Sequence, residues 1–445
     1  MSVAVAPLGA VRPDLGRVSR SVAAAGLTLL LVAGLAGAGY LAVRNRPSWV
    51  PLHADTVAFG PGGVVVEATA DQLVPGTRVL ASAPDADRLV AEQQAWLAAG
   101  TVPVVAGVER ELVTAALLDL HVLSRTYGVP VAGWSPAWRN VWPRDSALAA
   151  AALARTGHGA DAERILDFLS RVQPESGVFA ARYTPDARGV PDDRGVQLDG
   201  VGWALWALAE VTAEVAETDR AAFVRRHQQL LDRSTAAAQA AIDNPGTLPP
   251  VSADYWEVAE RRPTASTAAL LAAGLEAAAE LYAVTGAEGA RAESAAAAAR
   301  LRTVILQTFG PAGFPRYPGG RADSVDLGVS FLLPPFTRRV EPAAVAAWRQ
   351  AGLAMSRPAG GLAPGGSWRR DGISWTNATA TYALTAAALG ESDQARAWLS
   401  WLGRHRTAAG SFSEKVLADG RPASVAPLAW TAAAVLLTAD TLARA

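Results

Sequence analysis

The stretch Pro263-Thr-Ala-Ser-Thr-Ala-Ala-Leu-Leu-Ala-Ala-Gly-Leu275 carries no charge, and the segment after it, Glu276 to Arg302, carries charge along one face of a helical repeat. A helix that is apolar all round must be buried, whereas a one-sided helix covers it from outside. The alternation recurs. Six helix-like stretches without charge, 146–154, 200–209, 263–275, 327–337, 373–390 and 422–439, alternate with helical stretches bearing one charged face, such as Asp161–Arg171, Glu210–Arg233, Glu276–Arg302 and Glu391–Arg406. Their starts lie 46 to 64 residues apart, about one helical hairpin each. Six hairpins, each pairing an inner with an outer helix, predict an all-α, closed (α/α)6 barrel over residues 88–445. An open solenoid is the rival architecture; six units without a polar capping repeat favour closure.

Composition supports a large core. Of 445 residues, 51% are apolar and 18% charged, with a formal net charge of −1. Such a chain is not disordered, and no global field draws it to nucleic acid. Cysteine is absent, which excludes disulfides, thiolate metal sites and a cysteine nucleophile. The five histidines, His53, His121, His158, His227 and His405, have no metal-ligand spacing, so structural or exposed roles are expected of them and a metal is not. One lysine, Lys415, stands among 40 basic residues, a bias attributable to codon usage. Fourteen Trp against nine Phe inverts ordinary aromatic usage.

At the N-terminus, Ser21–Val43 carries no charge and is bounded by Arg20 and Arg44. A helix of that length extends about 35 Å, enough for a hydrocarbon core of about 30 Å. The expectation is a short cytoplasmic segment (1–20), a transmembrane anchor (21–43) and an extracytoplasmic remainder; a cleaved signal peptide is the alternative. Residues 44–87 are rich in Pro, Gly and Val and read as a juxtamembrane segment packing on the main domain, with short strands at Gly63–Glu67 and Arg78–Leu80.

If inner and outer helices alternate up and down, the loops leading into all six inner helices gather on one rim. Those loops hold the unusual residues: Trp134 to Asp145; Asp192, Arg194 and Asp199; Asp254-Tyr-Trp256-Glu257; Arg316-Tyr317 and Asp323; Trp368-Arg369-Arg370-Asp371 with Trp375; and Ser411 to Lys415. A mouth of Trp, carboxylate and guanidinium suits an oligosaccharide or polysaccharide, because indole faces stack on sugar C–H surfaces and charged forks read hydroxyls. Cleaving an acetal needs one carboxyl to protonate the leaving oxygen and a second to activate water. Glu257 and Glu414, on the third and sixth loops, are the candidates, and opposite places in the ring suit the wide carboxylate gap of an inverting enzyme. Trp256, next to Glu257, would supply an apolar wall that raises an acid's pKa. The bland alternative makes both ordinary carboxylates near helix starts.

Five motifs, Trp142-Pro-Arg144-Asp145-Ser, Gln197-Leu-Asp199-Gly, Asp254-Tyr-Trp256-Glu257, Gly410-Ser-Phe-Ser-Glu414 and Ser424-Val-Ala-Pro-Leu-Ala-Trp430, occur in an order that resembles the glucoamylase-type glycoside hydrolases of family 15, which include glucodextranases and some trehalases. The resemblance runs from about Glu92 to the C-terminus. It implies Glu257 as general acid, Glu414 as general base, and Arg144 with Asp145, next to Trp142, gripping the non-reducing sugar. It further implies inverting, exo-acting release of a β-anomeric sugar from an α-glucoside, without a cofactor. Where many members follow the acid with a second carboxylate, this chain has Val258; Arg369 or Arg370 would stand for family arginines of the leaving-group subsite.

Capping alone would account for Asp145, Asp199 and Asn377 at helix starts; Arg144 and its motif favour a substrate role for Asp145, while Asp199 stays evenly balanced. Trp203, Trp206 and Trp430 are expected to pack inside the barrel, Trp348, Trp398 and Trp401 on its outer layer, and Thr264 or Ser266 to cap the third inner helix. Two further functions stay open: a catalytically degenerate glycan-binding or envelope-assembly protein, and an exo-glycosidase for a non-glucose envelope glycan.

Overall fold

The computed structural model describes residues 50–445 apart from Pro245. The cytoplasmic segment, the anchor and the Arg44 and Arg46 flank fall outside the described residues. Ser48–Ala445 forms one compact unit.

Thirteen α-helices are described: α1 (Ala86–Ala99), α2 (Arg110–Ser124), α3 (Pro143–Arg155), α4 (Gly159–Val172), α5 (Asp199–Glu214), α6 (Glu217–Arg226), α7 (Gln228–Ala240), α8 (Ala265–Thr285), α9 (Glu288–Phe309), α10 (Pro342–Met355), α11 (Thr376–Ala388), α12 (Ser392–Arg404) and α13 (Ala429–Arg444). α3, α5, α8, a 3₁₀ turn (Leu327–Leu332), α11 and α13 each pack on the next, and α13 packs back on α3, closing a ring of six. α2, α4, the α6–α7 pair, α9, α10 and α12 cover it. α8 is long and apolar enough to cross a membrane, yet most of it is buried in this ring. Trp203 packs edge-on inside against Trp206, Phe331 and Phe336, and Trp206 meets Phe336 at a tilt of 43°. Thr264 caps α8 by accepting from the Thr267 amide.

Three expectations change. The fourth inner element is a single 3₁₀ stretch, because Gly328 sits one residue into it, Pro334-Pro335 closes it, and a Cβ at Gly328 would meet Ser266 Cβ at 2.6 Å. Glu210 and Glu276, read as starts of outer helices, belong to the far ends of α5 and α8, where Arg155 and Arg302 pair with them. The hairpins turn later, at Val215-Ala216 and at left-handed Gly286. The segment after Val50 is also more ordered than two isolated strands. β1 (Thr56–Phe59) pairs antiparallel with β2 (Val65–Ala68) across the left-handed Gly62 and Gly63, and Phe59 bridges to Val79. Buried Arg78 then donates to Asp119 at 2.8 Å and to Ser411 at 3.1 Å, fixing this segment to the barrel.

Two packing details carry stability. Gly202 of α5 and Gly274 of α8 face each other so closely that a Cβ on Gly274 would lie 2.7 Å from Gly202 Cα, and one on Gly202 would strike the Leu270 backbone. Gly202→Ala should therefore cost more than the ~1–3 kcal/mol of ordinary overpacking, whereas Gly289→Ala, with open space around it, should be neutral or gain a few tenths of a kcal/mol; denaturant unfolding of the two variants checks this. α1 is held by Trp96, stacked between His121 and His158 with ring centroids 4.1 and 3.8 Å away. Burial, and for His121 also the charge of Arg125, holds these imidazoles down, to about 3 for His121 and about 4 for His158. Both folded values lie below the unfolded value, so their stabilising contribution is complete above about pH 6.5 and is lost as pH falls toward 4. Wild type should lose stability over that window more steeply than a His121→Gln/His158→Gln variant, by up to about 1.4 kcal/mol per pH unit for each histidine; unfolding curves at pH 7, 6 and 5 decide it.

Candidate functional site

Loops following the helical inner elements are short, Thr156–His158, Val215–Ala216, Gly286–Ala287 and Leu389–Glu391, while residues 333–341 follow the 3₁₀ element. Loops leading into the six, 125–142, 173–198, 241–264, 310–326, 356–375 and 405–428, are long and meet at the opposite end. There a cavity of about 290 Å³ is lined from five of these loops and from Leu327 at the start of the fourth inner element, and includes Trp142, Arg144, Arg194, Glu257, Trp368, Trp375 and Glu414.

Glu257 ends a tight turn. Asp254 Oδ1 accepts from the Trp256 amide at 3.0 Å and Asp254 O from the Glu257 amide at 2.8 Å, and Glu257 itself is left-handed at φ 52°. The turn is anchored by Arg316, fully buried, which donates to Asp254 at 2.7 Å, Glu260 at 2.5 Å and Asp326 at 2.6 Å and lies 3.8 Å over the Trp256 ring. Three carboxylates around one guanidinium keep it charged and fix the loop. Trp256 thus packs between Arg316 and Trp368 and gives Glu257 no apolar wall. The Glu257 oxygens meet donors instead: Trp142 Nε1 at 2.5 Å and Arg144 at 3.5 Å on Oε1, and Arg194 on Oε2.

Glu414 comes from the opposite side of the ring. A three-stranded antiparallel sheet, β3 (Ser374–Trp375), β4 (Lys415–Val416) and β5 (Pro422–Ala423), places it at the mouth. Trp138 Nε1 donates to Oε1 at 3.2 Å, while Ser424 Oγ at 2.7 Å and Lys415 Nζ at 3.0 Å hold Oε2. Between the two glutamates lie Asp145 and Arg144, whose guanidinium stacks 4.7 Å over Trp430. Burial pushes the Asp145 carboxyl up to about 6, against the pull of Arg144 and assisted by the charges of Glu257 and Glu414. Arg144 Nη1 and the indole nitrogens of Trp368 and Trp375 are buried without a hydrogen-bond partner among the described residues.

Six of the ten candidate residues, Trp142, Arg144, Asp145, Trp256, Glu257 and Glu414, line this cavity. Asp254 lies behind it as the turn's anchor, and Asp199 lies buried at the start of α5 without reaching the lining. Arg369 and Arg370 are exposed and outside the lining, Arg369 resting 5.7 Å from the ring of Trp368, which does line it. Arg194 and Lys415 stand in the cavity instead. Trp430, expected only to pack, also lines it. Sequence reasoning gave no role to Arg194, Arg316, Trp138, Ser424 or Lys415. For Lys415 a signal existed, since it is the one lysine in a chain that otherwise uses arginine. Among the described residues, no three histidine or carboxylate side chains are arranged to hold a metal ion.

No protein-family model and no curated protein sequence matches the chain. Among solved structures it is similar to a wild-type glycosidase (TM-score 0.62, 22% identity, covering 74% of this chain and 96% of that one). It is also similar to a bacterial glucoamylase complexed with acarbose (TM-score 0.60, 18% identity, 75% and 55%). A third is a glucoamylase from Saccharomycopsis fibuligera (TM-score 0.59, 13% identity, 77% and 97%). At these identities what is shared is the barrel fold.

Asp199 supplies a test of the site's electrostatics. Burial, with the charges of Asp254 and Glu257 and against Arg144, pushes its carboxyl up to about 7. The folded value exceeds the unfolded one, so this group favours the folded state at low pH and loses that contribution as pH rises from about 4 through 7. Asp199→Asn should therefore be more stable than wild type by on the order of 2 kcal/mol at pH 8, with a smaller advantage at pH 5, in guanidinium unfolding at both pH values.

Proposed function

We propose that the protein is a glycoside hydrolase that removes terminal sugars from α-glucosides with inversion. The observation that carries this reading is that Glu257 and Glu414, 157 positions apart in sequence, line one tryptophan-walled cavity from loops three places apart in a ring of six. The solved glycosidase gives independent support: two glutamates replaced by alanine in its variants, one of them in complex with glucose, stand as far apart in its chain as Glu257 and Glu414 do here.

In the proposed reaction Glu257 gives its proton to the glycosidic oxygen as that bond breaks, and Glu414 takes a proton from the water that attacks the anomeric carbon. Trp142 holds Glu257 Oε1, while Trp138, Ser424 and Lys415 aim Glu414. Arg144 and Asp145 sit between them, where the terminal sugar's hydroxyls would lie. Arg194 yields Glu257 Oε2 as the leaving-group sugar enters, and position 258, a valine with its side chain exposed, offers that sugar no carboxylate. A single cavity at one end of the barrel, walled by loops from around the ring, supports exo action, in which only a chain end is bound. We also carry forward residues 21–43 as a membrane anchor with the barrel extracytoplasmic; carbonate-resistant membrane association of the full chain and its loss on deleting 1–47 is the expected result.

Glu257→Gln and Glu414→Gln should each lower turnover at least ~10²-fold on whichever of maltooligosaccharides, isomaltooligosaccharides or trehalose the wild type cleaves. NMR of the first product should show the β-anomer. Wild-type turnover by either variant removes that residue from its role. Saccharide binding by calorimetry with no product from wild type would replace hydrolysis by a glycan-binding or assembly function, and cleavage only of non-glucose termini would move the specificity.

A further inference from the structure

The first described residues of the chain lie against the loop that carries the candidate base. Leu52 pairs in parallel with Ser424. The Ser424 amide donates to Pro51 O at 2.9 Å and the His53 amide donates to Ser424 O at 2.9 Å, so Ser424 is gripped through both of its backbone polar groups. Ser424 needs that grip, because its φ of 69° is a left-handed conformation a side-chain-bearing residue seldom takes. From this conformation its Oγ donates to Glu414 Oε2 at 2.7 Å.

The His53 side chain reaches the partner of the other carboxylate oxygen. Its Nδ1 shares a 2.8 Å hydrogen bond with Ser135 Oγ, and its ring meets Trp138 edge-on with centroids 5.5 Å apart. The Trp138 amide donates to Ser135 O at 2.8 Å, closing the turn from which Trp138 Nε1 donates to Glu414 Oε1 at 3.2 Å. One short segment thus braces both neutral donors of Glu414, one through backbone and one through a side chain. Pro51, Leu52 and His53 do not themselves line the cavity.

We propose that Pro51–His53 is a positioning strap for Glu414, holding Ser424 and Trp138 so that the carboxylate points at the attacking water; this rests on reading Glu414 as the base. A base displaced by a fraction of an ångström still binds substrate but transfers a proton poorly. The strap's signature is therefore a loss in kcat at nearly constant KM, which mere loosening of the fold at the rim would not give.

The test uses the full chain. His53→Ala should lower kcat about tenfold with KM within twofold and an unchanged far-UV spectrum at the assay temperature. His53→Asn, which can still bond Ser135, should recover most of the loss, and His53→Pro, which removes the amide donor to Ser424, should lose more. Hydrogen exchange should speed up in peptides spanning Ser424 and Trp138 and stay unchanged in α5 and α8. A His53→Ala enzyme with wild-type kcat, or with its loss entirely in KM, while Glu414→Gln is inactive, overturns the strap and leaves the base in place. Wild-type turnover by Glu414→Gln overturns the base, and the strap's role toward it falls with it.

Discussion

Six inner segments of this chain are apolar on every face, and burying all of them at once forces a closed ring in which each is walled by two neighbours and an outer helix. Charged side chains are thereby kept out of the middle of these stretches, where the buried polar groups are hydroxyls such as Thr381, Thr385 and Thr438. Because the connections after the inner segments are short and those before them long, the polar ends that matter all fall at the N-terminal side. The helix starts that meet there also carry partial positive charge. A rim built this way tolerates carboxylates better than most buried places, and the protein has put Asp145, Asp199, Asp254, Glu257 and Glu414 there. The close approach of Gly202 and Gly274 shows how little slack the ring has: a bulkier side chain at that crossing would move the loops as well as the helices.

The rim tolerates carboxylates only partly. Burial drives Asp145 and Asp199 up toward neutrality, while Glu257 and Glu414 are each met by a cation and by neutral donors. Two populations of acidic groups result, one starved of water and one held by partners. That division puts perturbed carboxyls beside firmly held carboxylates at one rim, a pattern that functional sites favour. Three cations, Arg144, Arg194 and Lys415, line the cavity beside these carboxylates, so N–H donors and carboxylate acceptors share one space.

How much of this was legible in sequence follows from which signals are local. Uninterrupted lack of charge is local, and it located all six inner segments. Where each hairpin turned was less legible, since Glu210 and Glu276 look like the start of a solvent-facing helix until Arg155 and Arg302, distant in sequence, are seen to meet them. The 3₁₀ fourth element was readable in principle from Gly328 and Pro334-Pro335, which the absence of charge outweighed. At the site, Trp142, Arg144, Asp145, Glu257 and Glu414 reach the cavity from short motifs, whereas the contacts of Arg194, His53 and Ser424, the last named by a motif but not its bond to Glu414, cross loops that no spacing encodes. Arg369 and Arg370 illustrate the converse: placed near the rim by position in the chain, they are exposed beside Trp368 and outside the lining.

Backbone strain marks the same rim independently of charge. Among the described residues four non-glycines take positive φ, namely Ala187, Glu257, Phe314 and Ser424, and each lies in a loop leading into an inner segment. Such conformations cost on the order of 1–3 kcal/mol each and persist only where surroundings over-determine them. Here the surroundings are identifiable. Asp254 and Arg316 fix Glu257, the Phe314 turn delivers Arg316 two residues later, and Ser424 is bonded on both sides by Pro51 and His53. Nothing in the barrel's packing requires these bends, since no inner segment contains one. What they have in common is that straightening any of the last three would displace Glu257, the Arg316 anchor of its turn or the Ser424 donor to Glu414, so the strain bears on the placing of two carboxylates that line one cavity.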